Sequence, residues 1–461
     1  MSKDFGLFAP VNGIYDEYKS KLITAKEAAS MVKSGMYLHF GLMNGIVVDI
    51  QEALAERTEE LEDVTIIQTM WSYGEKPPVL KNDPHAEHFH CASTHLTKQE
   101  RAANKDGNFW FLPVQFRENP KLHRECRPTY DIAFLQVAPM DASGNFNIGP
   151  QVAEYWGVFQ NCDKIIVEVN ENLIVTHGVG NYLNINQVDY IVEGSNTPMP
   201  TIGSKVPTDI DRRMAENIVE HLEDGATLQL GNGAFPNCVG SLIVDSNLKD
   251  LGCHTEMFVD AYLKLYEAGK LTNMKKGINQ GKMTFTFAQG SEELYKWMDN
   301  NPMMMSAPVD YVNNVEVIAS NHKMTSINSC LQIDLFGQVN SESSGLQHIG
   351  GTGGQLDFVM GAFQSEGGKS FLCTPSTRTL KDGTVESLIM PTLPQGSIVS
   401  TPRSGVHYIV TEYGAVNLKG KTTYERAKLL ISVAHPDFRA ELEEEAQKMG
   451  IWESTSRVYT N

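Results

Sequence analysis

The chain predicts an α/β fold: two similar open α/β domains with mainly parallel sheets. Three observations carry this expectation. Strand-like runs alternate with helical runs along all 461 residues, the pattern of open sheets covered by helices. A glycine-bounded strand near the start returns in the second half. A stretch rich in proline, glycine and small polar residues, at 194–209, lies between the two.

Along the chain the strand-like runs are TIIQT, IAFLQVA, KIIVEV, ATLQL, VEVIAS, SFLCT and HYIVTE. The echo begins with the run Gly35 to Gly41 (GMYLHFG), answered by Gly225 to Gly231 (GATLQLG). Next, Leu135-Gln136-Val137 and a polar run ending at Gly149 are answered by Leu331-Gln332-Ile333 and a polar run ending at Gly350. WGVFQ followed by DKIIVEV is then matched by MGAFQ followed by GKSFLCT. Matches kept in one order argue for a duplicated α/β unit, with an N-terminal domain over 1–200 and a C-terminal domain over 201–461. The stretch TTYERAKLLISVAHPDFRAELEEEAQKMG is helical in pattern and broken at Pro436.

Composition narrows the function classes. Hydrophobic residues make up 41% and charged residues 20%, the balance of a globular protein. A formal net charge of −18 repels phosphate backbones and anionic lipid, so neither nucleic acid nor membrane is expected as a partner. No run of apolar residues is long enough to span a bilayer, and the start MSKDFGLFAPVNG has no apolar signal region. The seven cysteines are widely spaced, with no C-x-x-C pair; free thiols in a reducing cytoplasm are expected.

Four motifs have the composition of a site. In ATLQL-GNGAFP-NCVGSLIVD a strand enters a glycine turn and then a helix, with Pro236 in the first helical turn. Such a turn brings backbone N–H groups and a helix N-terminus to a ligand oxygen, although a tight structural turn explains it equally well. In LGCHTEMFVDAYLKLYEAG, Glu256 lies between a short strand and a helix that Asp260 would cap and Gly269 would end. Ligands bind at that edge of open α/β sheets, but the ordinary reading of a lone glutamate there is a solvated one. HIGGTGGQLDF has the glycine content of a hinge or of a loop that closes on substrate. FLCTPSTRTLKDG offers Arg378 and Lys381 to a phosphate, or simply to water.

Two further patterns are set aside. SEGGKS lacks the first glycine of a P-loop, since position 363 is Phe. His85, His88, His90, Cys91 and His95 have metal-like spacing but no second cluster, so a histidine patch is expected and no metal.

Taken together and in this order, G-N-G-A-F-P, H-T-E-M, G-G-T-G-G-Q-L-D-F and RAKLLISVAHPDFRAEL resemble the acetyl-CoA hydrolase/transferase family. Within it the likeness is to 4-hydroxybutyrate and butyryl-CoA:acetate CoA-transferases, and it covers nearly the whole chain. The resemblance implies two similar α/β domains with the active site between them and Glu256 as the residue that forms a glutamyl-CoA thioester. It implies that Gly231, Asn232, Gly233, Ala234 and Phe235 line the coenzyme and carbonyl site, with Leu331, Gly354 and Lys381 as further coenzyme contacts. Asn314, Gly353 and Glu412 correspond to support near the acyl group. Two departures stand out: Asn232 where an aliphatic residue is usual, and GTVESLI after Lys381 where relatives show Ser-Arg-Ile.

The activity so implied is exchange of coenzyme A between a short-chain acyl-CoA and a carboxylic acid such as acetate. No permanently bound cofactor is expected, coenzyme A being substrate; a homo-oligomer, dimer or tetramer, is expected. An acyl-CoA hydrolase using the same glutamate is the alternative within the family, and a non-catalytic acyl-CoA sensor the alternative of another class. Trp71, the Met303–Met305 run and Phe235 are candidates for an acyl pocket, though each serves equally well as ordinary core.

Overall fold

The computed structural model describes residues 13–74, 76–203, 206–231 and 233–451. These residues form two compact units. The first runs up to Ile202 and also takes in Glu256–Phe258 and Lys282–Asn313; the second comprises Gly203–Thr255, Val259–Gly281 and the chain from Asn314 onward. The main division therefore falls inside the proline- and glycine-rich stretch. It differs from a single boundary after residue 200 in that two later segments, one carrying Glu256, fold into the first unit.

In the first unit the main strands are β1 (Tyr37–Leu42), β2 (Val64–Thr69), β3 (Phe89–Ser93), β4 (Trp110–Phe111), β5 (Tyr130–Val137), β6 (Cys162–Val169) and β7 (Tyr190–Glu193). They form one sheet in the order β4-β3-β2-β1-β5-β6-β7, and every pairing in it is parallel. Period-two alternation explains why these strands are apolar almost throughout. Ile66, Ile132, Phe134 and Ile166 face one core; Ile67, Ala133, Leu135, Ile165 and Val167 face the other. The strand order reverses between β1 and β5, the place where open α/β sheets leave a crevice at the carboxyl ends of their strands.

The second unit repeats the plan with β8 (Thr227–Leu230), β9 (Gly252–Cys253), β10 (Met324–Ser329), β11 (Lys369–Cys373), β12 (Tyr408–Thr411) and β13 (Gly414–Asn417). Their order is β9-β8-β10-β11-β12-β13, parallel except for the final hairpin pair. Here the order reverses between β8 and β10. The echo is real at β1 with β8, at the helices Tyr155–Phe159 and Gln355–Gln364, and at β6 with β11. It slips at one point. Leu135-Gln136-Val137 ends β5, whereas Gln332–Asp334 is a separate strand beyond β10 that pairs with Val339–Asn340. Two apolar-polar-apolar triplets cannot fix register by themselves.

One strand expectation is corrected. Residues Val315–Ala319 of VEVIAS form a helix capped by Asn314, and the sheet strand is Met324–Ser329. A five-residue segment with four apolar residues does not separate strand from buried helix. The C-terminal break is as expected: helices Thr423–Ser432 and Pro436–Lys448 meet at Pro436, which opens the second. Among the described residues no helix is long and apolar enough to cross a membrane.

Candidate active site

The glycine turn after β8 sits at the strand reversal of the second unit. The end of β8 is held from two sides: Leu230 N–H donates to Tyr262 Oη at 2.9 Å, and Thr255 Oγ1 donates to the Leu230 carbonyl at 3.4 Å. Gly231 N–H donates to the Ile327 carbonyl of β10 at 3.3 Å. Gly233 then takes φ 122° and ψ −174° and precedes the helix Ala234–Asp245 with no side-chain cap. That backbone region is open in practice only to glycine. Pro236 supplies no N–H, and the uncapped end carries the positive pole of the helix, a seat for an oxyanion or carbonyl oxygen. Phe235 is buried beneath it, and Ala234 opens the helix. Asn232 lies outside the described residues.

The other coenzyme candidates in this unit lie on the same sheet edge or just beyond it. Leu331 follows β10 and donates its N–H to the Asn340 carbonyl at 2.8 Å. Gly353 has φ 55°, and Gly354 precedes the helix Gln355–Gln364, again without a side-chain cap. Thr352 Oγ1 donates to Glu342 Oε2 at 2.9 Å and ties down the glycine run. Glu412 follows β12 and accepts from Ser376 N–H at 2.9 Å and Ser376 Oγ at 2.5 Å. Lys381 is exposed in the turn between Thr377–Thr379 and Val385–Ser387, and the neighbouring Arg378 is paired with Glu386 at 2.9 Å. Of the two cations considered for a phosphate, Arg378 is engaged within the hairpin.

Glu256 belongs to the first unit. Its carbonyl accepts from Thr286 N–H at 3.1 Å and Phe287 N–H at 3.3 Å, and Met257–Phe258 pairs in parallel with Phe287–Ala288. This short pair is fastened at the β1/β5 reversal. Asn44, just after β1, donates to the Ala288 carbonyl at 3.2 Å, and Ala288 N–H donates to the Pro150 carbonyl at 2.8 Å. Asp260 is the first residue of the helix Asp260–Glu267 rather than its cap, a place held by Val259.

The carboxylate of Glu256 has a buried partner that sequence reasoning did not name. Asn313, fully buried, donates from Nδ2 to Glu256 Oε2 at 2.6 Å. It ends the helical turn Val309–Val312, which is anchored by Val309 N–H donating to the Ala153 carbonyl at 3.0 Å. Asn314 does something else: its Oδ1 caps the next helix, accepting from Glu316 N–H at 2.8 Å and Val317 N–H at 3.3 Å. The capping pattern ahead of VEVIAS was the signal that distinguishes the two asparagines.

A buried polar cluster lies in the same unit. His39, His123 and Glu154 are fully buried and close enough together to be weighed as metal ligands. Their hydrogen bonds indicate a different use. Gly41 N–H donates to His39 Nδ1 at 3.2 Å, so the His39 proton sits on Nε2, facing Glu154 Oε1 at 3.3 Å. A protonated Nε2 has no lone pair for a cation. Asn119 Nδ2 donates to Glu154 Oε2 at 2.6 Å. Burial opposes the Glu154 charge, but the nearness of His123, whose Nε2 lies 3.6 Å from Oε1, and the contact with His39 outweigh it and hold the carboxyl below its usual range. The histidines singled out in the sequence lie elsewhere: His88 Nδ1 meets the Leu61 carbonyl at 2.7 Å, and His90 faces Asp63 at 3.2 Å.

The N-terminal domain of the acetyl-CoA hydrolase/transferase family matches residues 11–203, and the C-terminal domain of that family matches residues 290–446. A butyryl-CoA:acetate CoA-transferase of Anaerostipes caccae is 44% identical, over 96% of this chain and 99% of that protein. A 4-hydroxybutyrate coenzyme A transferase of Clostridium kluyveri is 39% identical, over 94% and 98%. An acetyl-CoA hydrolase of Candida albicans is more distant, 24% identical over 93% and 89%. The crystal structure of RipA from Yersinia pestis superposes with a TM-score of 0.85 at 35% identity, over 95% of this chain and 100% of that one. With both domains matched and relatives spanning nearly its whole length, the chain belongs to the acetyl-CoA hydrolase/transferase family.

Proposed function

We propose that the protein exchanges coenzyme A between a short-chain acyl-CoA, such as butyryl-CoA or 4-hydroxybutyryl-CoA, and a carboxylic acid such as acetate, through a thioester on Glu256. The observation that supports this most directly is a glutamate at a sheet reversal whose carboxylate is oriented by a buried amide, Asn313, at 2.6 Å. A carboxylate nucleophile suits a reaction that trades one thioester for another and must keep water from ending the cycle.

In the first half-reaction Glu256 attacks the acyl-CoA carbonyl. The carbon–sulfur bond breaks, leaving a mixed anhydride and coenzyme A thiolate. The thiolate then attacks the glutamyl carbonyl, and the first acid leaves as its carboxylate. In the second half-reaction the incoming carboxylate attacks the glutamyl-CoA carbonyl and displaces thiolate. The thiolate takes the acyl group from the new anhydride, and Glu256 returns as carboxylate. Each addition develops an oxyanion. Backbone N–H groups at Asn232 and Gly354 and the amide of Asn313 are assigned to it; loss of one such donor costs about 2.7–4 kcal/mol.

Gly231, Gly233, Ala234, Phe235, Leu331 and Lys381 are assigned to the coenzyme, and Gly353 and Glu412 to support of the acyl site. Asn313 is assigned to orienting the Glu256 carboxylate. The seven free cysteines fit a cytoplasmic protein, and a homo-oligomer, dimer or tetramer, is proposed from the family likeness.

The test is to incubate the protein with butyryl-CoA, reduce with borohydride and locate the modified residue by mass spectrometry. The adduct is expected on Glu256. Glu256→Gln should give no adduct and no transfer while still binding coenzyme A, and normal turnover in that variant would refute the assignment. Consumption of acyl-CoA at the same rate without an acceptor acid would make the protein a hydrolase instead.

A further inference from the structure

The segment 150–154 of the first unit is paired along both of its edges. On one edge Ala288 N–H donates to the Pro150 carbonyl at 2.8 Å, Gln151 pairs with Phe287 in an antiparallel bridge, and Val152 N–H donates to the Thr286 carbonyl at 3.1 Å. Thr286 and Phe287 are the residues whose N–H groups hold the Glu256 carbonyl. On the other edge Ala153 pairs with Pro308, and its carbonyl accepts from Val309 N–H at 3.0 Å. Val309 opens the helical turn that ends at Asn313. One bracket therefore supports both the backbone of Glu256 and the amide that meets its carboxylate.

The bracket is strained, and its last residue is deeply anchored. Ala153 has φ 30°, a left-handed backbone that is costly for a residue with a side chain and persists only where the surroundings enforce it. The next residue, Glu154, is fully buried. Its Oε1 faces His39 Nε2 at 3.3 Å and His123 Nε2 at 3.6 Å, and its Oε2 accepts from Asn119 Nδ2 at 2.6 Å. These partners come from β1, the turn Asn119–Lys121 and the helical segment Leu122–Cys126. The residues around Asn119 in turn reach the site. Phe116 packs edge-on against Phe287 with ring centres 5.8 Å apart, and the turn Val309–Val312 lies against 116–121. The helix Tyr155–Phe159 that follows Glu154 approaches the same stretch so closely that a Cβ on Gly157 would collide with the Pro120 carbonyl.

Stability alone does not call for a carboxylate here. A buried charge must recover its desolvation cost from its partners, and apolar packing of similar volume often holds a fold equally well. What a fully engaged buried network adds is a single fixed arrangement of the elements it joins. The strain at Ala153 points the same way, since strained backbone collects at functional sites.

We infer that Glu154 is a positioning residue for the Glu256 chemistry: its clamp on His39, His123 and Asn119 fixes the strained 150–154 bracket, and the bracket sets Glu256 and Asn313 in register with each other. The inference rests on the covalent role proposed for Glu256.

The test is single-turnover formation of the glutamyl-CoA adduct from butyryl-CoA, trapped with borohydride and followed by mass spectrometry. Rates are expressed per active site, counted from the final yield of adduct, so that unfolded protein does not register. Glu154→Gln should slow adduct formation by roughly tenfold or more, as a small displacement of a reacting group does. The butyryl-CoA concentration giving half the maximal rate should stay within about twofold. Asn119→Ala leaves the carboxylate with its two histidines; it should slow the step in the same way by a smaller factor, and it carries the test if Glu154→Gln does not fold. In the Asn313→Ala background Glu154→Gln should add less than its full factor, because both act on one geometry. A per-site rate within about twofold of wild type in either variant, or losses that multiply in full in the double variant, overturns the inference while leaving the covalent role intact. If the wild-type protein forms no adduct on Glu256, the covalent role falls and this inference falls with it.

Discussion

Replacing Asn313 with alanine isolates the contact that orients Glu256, the proposed nucleophile. Asn313 is fully buried and its amide lies 2.6 Å from Glu256 Oε2, so solvent screens the interaction little. A hydrogen bond to a charged group contributes about 1.5–3 kcal/mol. If that stabilisation is needed to hold Glu256 in its attacking position, kcat/KM falls by roughly 10- to 150-fold, at about 1.4 kcal/mol per tenfold. The assay is steady-state transfer from butyryl-CoA to acetate, with the glutamyl-CoA adduct followed by mass spectrometry. Slower adduct formation should accompany the lower rate. Asn314→Ala is the matched control, because Asn314 itself caps a helix. It should cost about 1 kcal/mol of stability and leave kcat/KM unchanged. If Asn313→Ala stays within twofold of wild type, or if both variants lose activity equally, the orienting role is wrong.

Other expectations follow from the same structure. Gly233→Ala meets open space but forces a left-handed backbone at φ 122°, so it should cost about 1–3 kcal/mol by denaturant unfolding and raise the KM for acyl-CoA; unchanged unfolding would show that the turn tolerates a side chain. Burial raises both the Glu100 and Glu168 carboxyls to about 7. Folded values above unfolded ones stabilise below the unfolded pKa and lose that contribution as pH rises through 7. Stability should therefore fall between pH 5 and 7.5 on this account, less steeply in Glu100→Gln and Glu168→Gln, and an identical slope in the variants would count against it. Burial lowers Lys276 to about 8 while its Nζ donates to the Cys253 carbonyl at 2.7 Å. The unfolded chain then binds more protons between about pH 8 and 10.5, so stability should rise with pH in that window. Lys276→Met should abolish the rise in urea titrations at pH 7.5 and 9.5.

The sheets were legible because their strands are short apolar runs set between helices, and β2, β5, β6 and β11 stand out on that basis alone. VEVIAS was not, since four β-branched or apolar residues around Glu316 suit either element until the Asn314 cap is recognised. The glycine turn at 231–233 and Glu256 were visible as local motifs at a strand end. Asn313 was not, because its role depends on a short helical turn anchored at Ala153, far away in sequence. The same holds for His39, His123 and Glu154, which no linear spacing brings together. Three-residue insertions such as Glu256–Phe258 leave no compositional trace, so a single boundary was the natural reading.

That insertion bears on how the molecule is made. The first unit is not complete in the nascent chain when Ile202 is added; it still lacks Glu256–Phe258 and Lys282–Asn313. At roughly 5–20 residues per second, synthesis from Ile202 to Asn313 takes on the order of ten seconds. During that interval the first sheet waits for a pair of strands, and the Asn44 side-chain amide and the Pro150 carbonyl lack their partner Ala288. A ribosome paused in this window would hold the first unit without the two segments that complete it, its carboxyl-end crevice still unfinished.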